Sequence, residues 1–185
     1  MRNLVYAINM SLDGCVDHTK VAVYEDLLEF HINLVRSVDT FVFGRVTYQL
    51  MVPYWPDIAK NPTNDKSDDE FAQAFVSVKE MVVISRSLDR VEGKNARLVK
   101  TNLAEEILKL KQEPGRNILV GGVDIPSQLI QLGLVDEFHF VIGPNMAGEG
   151  RRFLSGTRLP ERLNVKLVSS KTFDSGCIAL HYIKG

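Results

Sequence analysis

Three short stretches share one arrangement, in which an apolar run ends on a small residue and groups able to hold an anion follow at once. They are Phe43-Gly44-Arg45-Val46-Thr47, Ile84-Ser85-Arg86-Ser87 and Val120-Gly121-Gly122-Val123. Glycine lets a ligand approach the backbone closely. A helix that opens straight afterwards offers unpaired N–H groups and the positive end of its dipole. Arg45 and Arg86 add planar guanidinium forks that suit phosphate oxygens, and Thr47 adds a hydroxyl in the first turn. Each stretch alone is also a common turn, cap or packing junction. Together they fit a ligand with several phosphates lying across the ends of strands, and a dinucleotide with an extra ribose phosphate fits best. The first strand leads into Ser11-Leu12-Asp13-Gly14, so no GxGxxG fingerprint is present.

Two carboxylates stand where they could meet a substrate. Asp13 follows the first strand, where it could orient substrate or a proton-donating water, or bond its own turn backbone. Asp26 opens a helix, a place that also suits an exposed acid favoured by the dipole. The four histidines, His18, His31, His139 and His181, are scattered without metal-ligand spacing, and no metal is expected. His139 alternates with apolar residues in Glu137-Phe138-His139-Phe140-Val141, which reads as a strand position facing solvent or an interface.

These residues need elements to position them. Leu4–Met10 is apolar almost throughout and reads as a central strand buried on both faces. Glu25–Ser37 carries Leu27, Phe30 and Leu34 on one helical face. Strands follow at Thr40–Phe43, Met81–Ser85, Leu98–Val99, Ile118–Val120 and Glu137–Ile142. Helices are expected over Val46–Met51, stopped by Pro53, over Asp69–Val76 and Ala104–Lys111, and after Gly122, with Gly133 just past the end of the last. Pro56–Asp69, which contains Asn61-Pro62-Thr63-Asn64-Asp65-Lys66, reads as a surface loop. Leu163–Phe173 and Cys177–Ile183 form a hairpin around Asp174-Ser175-Gly176. Strand and helix alternate until this final pair. That predicts an α/β fold of three layers, α-β-α, with a mostly parallel central sheet and an antiparallel C-terminal hairpin. In such sheets ligands bind beyond the carboxyl ends of the strands.

The 185 residues suit one domain spanning 1–185, and 45% of them are hydrophobic, enough for an ordinary core. The net charge of −1, from 22 basic and 23 acidic residues, gives no basic stripe for nucleic acid. No apolar run approaches the roughly 20 residues of a membrane helix, and the N-terminus reads as a strand rather than a signal peptide. Cys15 and Cys177 make neither a disulfide framework nor a zinc pattern; two reduced thiols and a cytoplasmic location are expected.

The motifs Met10-Ser11-Leu12-Asp13-Gly14, Phe43-Gly44-Arg45-Val46-Thr47-Tyr48, Leu119-Val120-Gly121-Gly122, Val135-Asp136-Glu137 and Gly143-Pro144 to Gly148-Glu149-Gly150, in that order, resemble the dihydrofolate reductase-like superfamily. More closely, the chain resembles stand-alone proteins similar to the C-terminal reductase domain of the bifunctional riboflavin-biosynthesis deaminase-reductase. The resemblance implies about eight strands, NADPH, and hydride transfer to a small heterocyclic or ribosylamino-pyrimidine-like substrate. Carried over by position, it implies that Gly44, Arg45 and Thr47 serve the cofactor, with Arg45, Ser85 and Arg86 around the adenosine 2′-phosphate. Gly121, Gly122 and Val123 would cradle the pyrophosphate, Asp124 and Ile125 would lie alongside, and Ala7 and Asn9–Asp13 would border the nicotinamide. Asp26 would match the pterin-binding acid, and the Gly148–Arg152 loop would hold a phosphate or a neighbouring subunit. The hairpin would form a homodimer. The chain departs from folate reductases in having its single tryptophan at Trp55, after the second helix. It also lacks the His-x-Glu and Pro-Cys-x-x-Cys of the deaminase half. A nucleotide-binding protein of the same fold without turnover is the alternative reading.

Overall fold

The computed structural model describes residues 1–21, 24–63 and 65–185. Its one sheet has eight strands in the order β4-β3-β2-β5-β1-β6-β8-β7. In chain order the elements are β1 (Leu4–Ser11), α1 (Leu28–Arg36, preceded by a 3-10 turn over Glu25–Leu27), β2 (Val38–Gly44), α2 (Arg45–Lys60) and α3 (Lys66–Val76). Then come β3 (Glu80–Ile84), β4 (Ala96–Val99), α4 (Leu103–Gln112), β5 (Asn117–Gly121), α5 (Asp124–Gln131), β6 (Glu137–Gly143), β7 (Val165–Thr172) and β8 (Ile178–Lys184). Pairing is parallel except where β8 meets β6 and β7. The expected mostly parallel sheet with an antiparallel C-terminal pair is what forms.

The central strands bury both faces, as their unbroken apolar runs require. Val5, Phe41, Phe43, Met81 and Val83 face α1, α2 and α3. The alternate residues Leu4, Tyr6, Val42, Val82, Ile118 and Val120 face α4 and α5. A smaller cluster of Leu27, Val141, Phe173, Cys177 and Ala179 lies under the hairpin. Cys177 and Cys15 are both buried free thiols. The edge strand β7 is exposed at all eight residues and shifts register between Leu167 and Ser169.

One helix corrects the sequence reading. Instead of stopping before Pro53, α2 runs on through Pro53 and Pro56 to Lys60, so Pro56–Lys60 is helix and the loop is shorter than expected. Each proline lacks the N–H that would bond the carbonyl four residues back. Packing outweighs that loss, because the Trp55 ring lies 4.4 Å from Phe71 of α3. Gln73 of α3 donates to the Ala59 carbonyl at 3.0 Å, satisfying one of the helix's terminal acceptors. Next to it α3 begins earlier than expected because Asp65 caps it, accepting from the Ser67 and Asp68 amides. Asn64 of the loop lies outside the described residues. At the other end of the chain α5 closes as expected on Gly133 (φ 69), whose N–H bonds Ile130 O while the Leu134 N–H bonds Leu129 O.

Two polar links tie layers together. Lys111 of α4, 6% exposed, donates to both Asp136 oxygens at 2.8 and 2.6 Å and to Leu134 O. Asp136 also accepts the first amide of β1, Leu4 N–H, at 2.7 Å. Breaking one partner of a buried pair strands the other charge. Lys111→Ala should therefore lower stability by about 3 kcal/mol in urea unfolding. A loss near zero would show that Asp136 is satisfied by water instead.

His31 is the second link. It stands four residues after Leu27 and four before Val35, both buried, so α1 presses it onto β1, where its Nε2 lies 3.1 Å from Asn9 Oδ1. Burial pushes its imidazole down to about 4, partly offset by a hydrogen bond with the Leu27 carbonyl. The unfolded chain takes up this proton near pH 6.5 and the native one only near 4, so stability falls as pH drops through that window. The loss attributable to His31 should reach order 3 kcal/mol, and His31→Gln should flatten that part of the stability–pH curve. An unchanged slope in the variant would overturn the assignment.

Candidate functional site

The chain leaves β2 and β5 in opposite directions. From Gly44 it runs through α2 and α3 on one face to β3; from Gly121 it runs through α5 on the other face to β6. β2 and β5 are neighbours, with Phe43 opposite Gly121. Where adjacent parallel strands send their helices to opposite faces, a crevice opens at the carboxyl ends.

The glycines of this crevice are fixed by close approach. A Cβ on Gly122 (φ 91) would fall 2.3 Å from Thr47 Oγ1. One on Gly121 would meet the Phe43 ring at 2.9 Å, and one on Gly44 would meet Ile125 Cγ1 at 3.1 Å. Gly44, Thr47, Gly121, Gly122 and Ile125 thus come together as a single junction. Packing explains the glycines, and the same packing leaves backbone exposed between the two helix starts. Tyr6, which the sequence reading did not single out, donates to Gly122 O at 3.2 Å and steadies that peptide from below. Burial pushes the Tyr6 phenol well above its ordinary value, so it remains a donor.

Side-chain caps are present at α3 and α4 and absent at α1, α2 and α5, of which the last two start at the crevice. Asp65 and Asn102 each accept two amides at the starts of α3 and α4. At α2 the N-cap is Gly44 and at α5 it is Val123, and neither provides a side-chain cap. The first amides of both helices therefore have no side-chain acceptor, and Pro126 in the first turn of α5 carries no N–H. Arg45 is exposed and bonds Gln49 at 3.0 Å along its own helix. Ser85 lies one residue past the Gly44–Ile84 pair, and its hydroxyl accepts from Ser87 N and Leu88 N, forming its own turn. Arg86 beside it is exposed and enters no ion pair among the described residues.

β1 supplies the floor. Its pairing with β5 ends at Tyr6–Val120, whereas its pairing with β6 continues to Ser11–Gly143. The sheet therefore parts at Ala7, next to Gly121. Ala7 is half-buried, and beyond it on the α1 face lie Asn9 and His31.

The two aspartates are engaged elsewhere. Asp13 Oδ1 accepts from Ser11 Oγ and Ala147 N, while Oδ2 accepts from Gly148 N and pairs with Arg152 at 2.7 Å. Those bonds, led by the Ser11 hydroxyl and the Arg152 guanidinium, hold its carboxyl well below the usual carboxylate range. Asp26 is exposed and accepts Ser175 N at 2.8 Å, closing the hairpin turn. Asp124 is exposed at the start of α5 and pairs with Arg151 through both guanidinium nitrogens. Both arginines of the Gly148–Arg152 loop are thus paired within the chain. The loop is zipped to the segment after β1 by Leu12 N to Asn145 O, Val16 N to Arg151 O and Phe153 N to Gly14 O.

Two shallow hollows of about 450 and 430 Å³ lie away from these strand ends, one beside Arg36 and Gln73 and one beside Leu132 and Arg162. No helix among the described residues is long and apolar enough to cross a membrane.

Comparison with known proteins agrees with this geometry. Residues 2–179 match the model of the RibD C-terminal domain. An uncharacterized protein of Bacillus subtilis (strain 168), YyaP, is 30% identical, over 98% of this chain and 94% of its own. Among solved structures, a diaminohydroxyphosphoribosylaminopyrimidine deaminase/5-amino-6-(5-phosphoribosylamino)uracil reductase from Thermotoga maritima superposes with a TM-score of 0.68 at 15% identity, covering 100% of this chain and 57% of that one. Dihydrofolate reductase from Enterococcus faecalis, complexed with NADP(H), gives 0.62 at 15% identity, covering 99% and 96%. These two likenesses are of fold, and the fold is of the reductase type. The match over almost the whole length places this chain in the RibD C-terminal domain family.

Proposed function

We propose that this protein is an NADPH-dependent reductase that transfers hydride to a small heterocyclic, ribosylamino-pyrimidine-like substrate. The observation that carries the reading is the pair of helix N-caps at Gly44 and Val123, neither providing a side-chain cap, with the two segments packed together where Thr47 meets Gly122. That cradle fits a pyrophosphate. Gly121, Gly122 and Val123 would hold it, with Gly44, Thr47 and Ile125 forming the opposite wall. Arg45 and Arg86, exposed on the ends of neighbouring strands, suit the extra ribose phosphate beside Ser85. Asp124, paired with Arg151, presents a neutralised rim rather than a bare charge to an anion. Ala7, where β1 and β5 part, leaves room for a flat ring. Membership of the RibD C-terminal domain family, and the likeness of fold to a structure named as a uracil reductase and to an NADP(H)-bound reductase, support the same cofactor class.

When bound, the reduced nicotinamide supplies the hydride for a C=N or C=O bond of the substrate. This chain's residues bind, orient and exclude water. Asn9 and His31 stand on the wall next to Ala7, and His31 is neutral at pH 7, so the pair orients substrate by hydrogen bonding without adding charge. Asp13 is a positioning residue that holds the Gly143–Arg152 loop over the end of β1, and Asp26 braces the hairpin turn. The proton that completes the reduction comes from water. A cytoplasmic homodimer joined through the β7–β8 hairpin belongs to the same reading. The engagement of both aspartates in internal bonds favours one further reading, a nucleotide-binding protein of this fold that does not turn over.

NADPH at about 100 µM should raise the melting temperature and change the fluorescence of Trp55, and a 5-amino-6-ribosylamino-uracil phosphate should then be reduced with loss of absorbance at the nicotinamide band. Absence of both thermal and fluorescence responses would overturn the cofactor. Binding without oxidation across pyrimidine and folate substrates would favour the non-catalytic reading. Arg45→Ala combined with Arg86→Ala should weaken NADPH at least about tenfold, or 1.4 kcal/mol, and leave NADH nearly unchanged. Equal loss for the two nucleotides would remove those arginines from the ribose phosphate.

A further inference from the structure

We propose that Glu137, His139 and His181 bind one divalent transition-metal ion of the zinc class, on the α1 face of β6 and β8 beside Ala7. Glu137 and His139 are two apart on β6 and so point to the same face of the sheet. His181 lies directly across from His139 on antiparallel β8, on that face too. One atom from each of the three falls within 4.8 Å of the others. Glu137 Oε2 is 3.3 Å from His181 Nε2 and 4.0 Å from His139 Nε2. Zinc bonds of about 2.1 Å in a tetrahedron place ligand atoms about 3.4 Å apart. The imidazoles now stack at 4.2 Å and 12°, and a tilt out of the stack turns both lone pairs toward a shared ion.

The surroundings are those of a ligand set rather than of an ion pair. Asn3 donates to the other oxygen of Glu137, Oε1, at 2.6 Å, which orients the carboxylate with Oε2 toward the imidazoles. Among the described residues Glu137 pairs with no lysine or arginine. The same face is fenced by Val5, Ala7 and Ile183 from the strands and by Phe30 of α1, whose ring lies 6.2 Å from His139. His139 Nδ1 is buried with no hydrogen-bond partner, an unusual condition for a ring nitrogen. Two imidazole nitrogens and one carboxylate oxygen favour zinc, cobalt or nickel over magnesium or calcium. Three protein ligands leave one tetrahedral position open.

The test uses the full-length, untagged protein, freed of metal with a chelator and titrated with Co²⁺ and then Zn²⁺. One equivalent of Co²⁺ should give visible d–d bands without thiolate charge transfer, and Zn²⁺ should abolish them while millimolar Mg²⁺ does not. His139→Gln and His181→Gln should each weaken Zn²⁺ at least about tenfold, while His18→Gln, on an exposed loop, should not. In the unaltered protein Zn²⁺ should also shield His139 and His181, but not His18, from diethylpyrocarbonate, read by mass spectrometry, so that the conclusion does not depend on the variants folding. Failure of Co²⁺ and Zn²⁺ to bind at about 100 µM, wild-type affinity in both variants, or equal modification with and without Zn²⁺ would each overturn the site.

Discussion

The contact between Thr47 and Gly122 is the constraint on which the rest turns. With the Thr47 hydroxyl against its Cα, Gly122 can carry no side chain, and Gly121 is closed off in the same way by Phe43. Because these residues interlock, β2 and β5 can end level with each other and release α2 and α5 to opposite faces. The division of the core into two apolar layers follows, with the aromatic cluster of Phe41, Phe43, Phe71 and Phe75 on one side and Ile107, Leu110 and Leu129 on the other. The junction that makes the fold three-layered is thus also the one that sets two helix starts without side-chain caps beside the same crevice. Structure and candidate function are not separable here, since the substitutions that would fill the crevice would also pry the strands apart.

Much of this was legible in the sequence because it depends on local order. Apolar runs marked β1, β2, β3, β5 and β6, and glycines marked where β2 and β5 stop. The length of α2 was not legible, because Pro53 and Pro56 state a local preference that is overruled by Trp55 packing on Phe71, residues from two helices whose contact no short window reveals. The start of α3 was missed by a smaller margin, since Asp65 is an ordinary N-cap two residues before Ser67 and could have been weighted more heavily.

The side chains of the site divide along the same line. The positions that depend on backbone, Gly44, Gly121 and Gly122, fall together as their motifs suggested. The charged groups do not follow from motif alone, because a carboxylate goes to whichever donors the fold brings near it. Asp13 meets two amides and an arginine from a loop more than a hundred residues away, and Asp26 meets the hairpin turn. His31 was readable in retrospect, as a polar residue at the position shared by Leu27 and Val35 on the buried face of α1. His139 and His181 were not, since their adjacency is a property of the β6–β8 register rather than of spacing along the chain.

The place of β1 in the sheet bears on how the molecule comes to exist. β1 takes its hydrogen bonds from β5 and β6, with Leu4 opposite Ile118 and Val5 opposite Glu137. Such distant partners raise the contact order and slow the search for the native pairing. During synthesis β2, β3 and β4 can assemble with α2 and α3 as a neighbourhood, while β1 must wait, apolar on both faces, for β5 and β6 to leave the ribosome. Chaperone demand should therefore centre on Leu4–Ser11, and the floor beneath Ala7 is among the last parts of the protein to take shape.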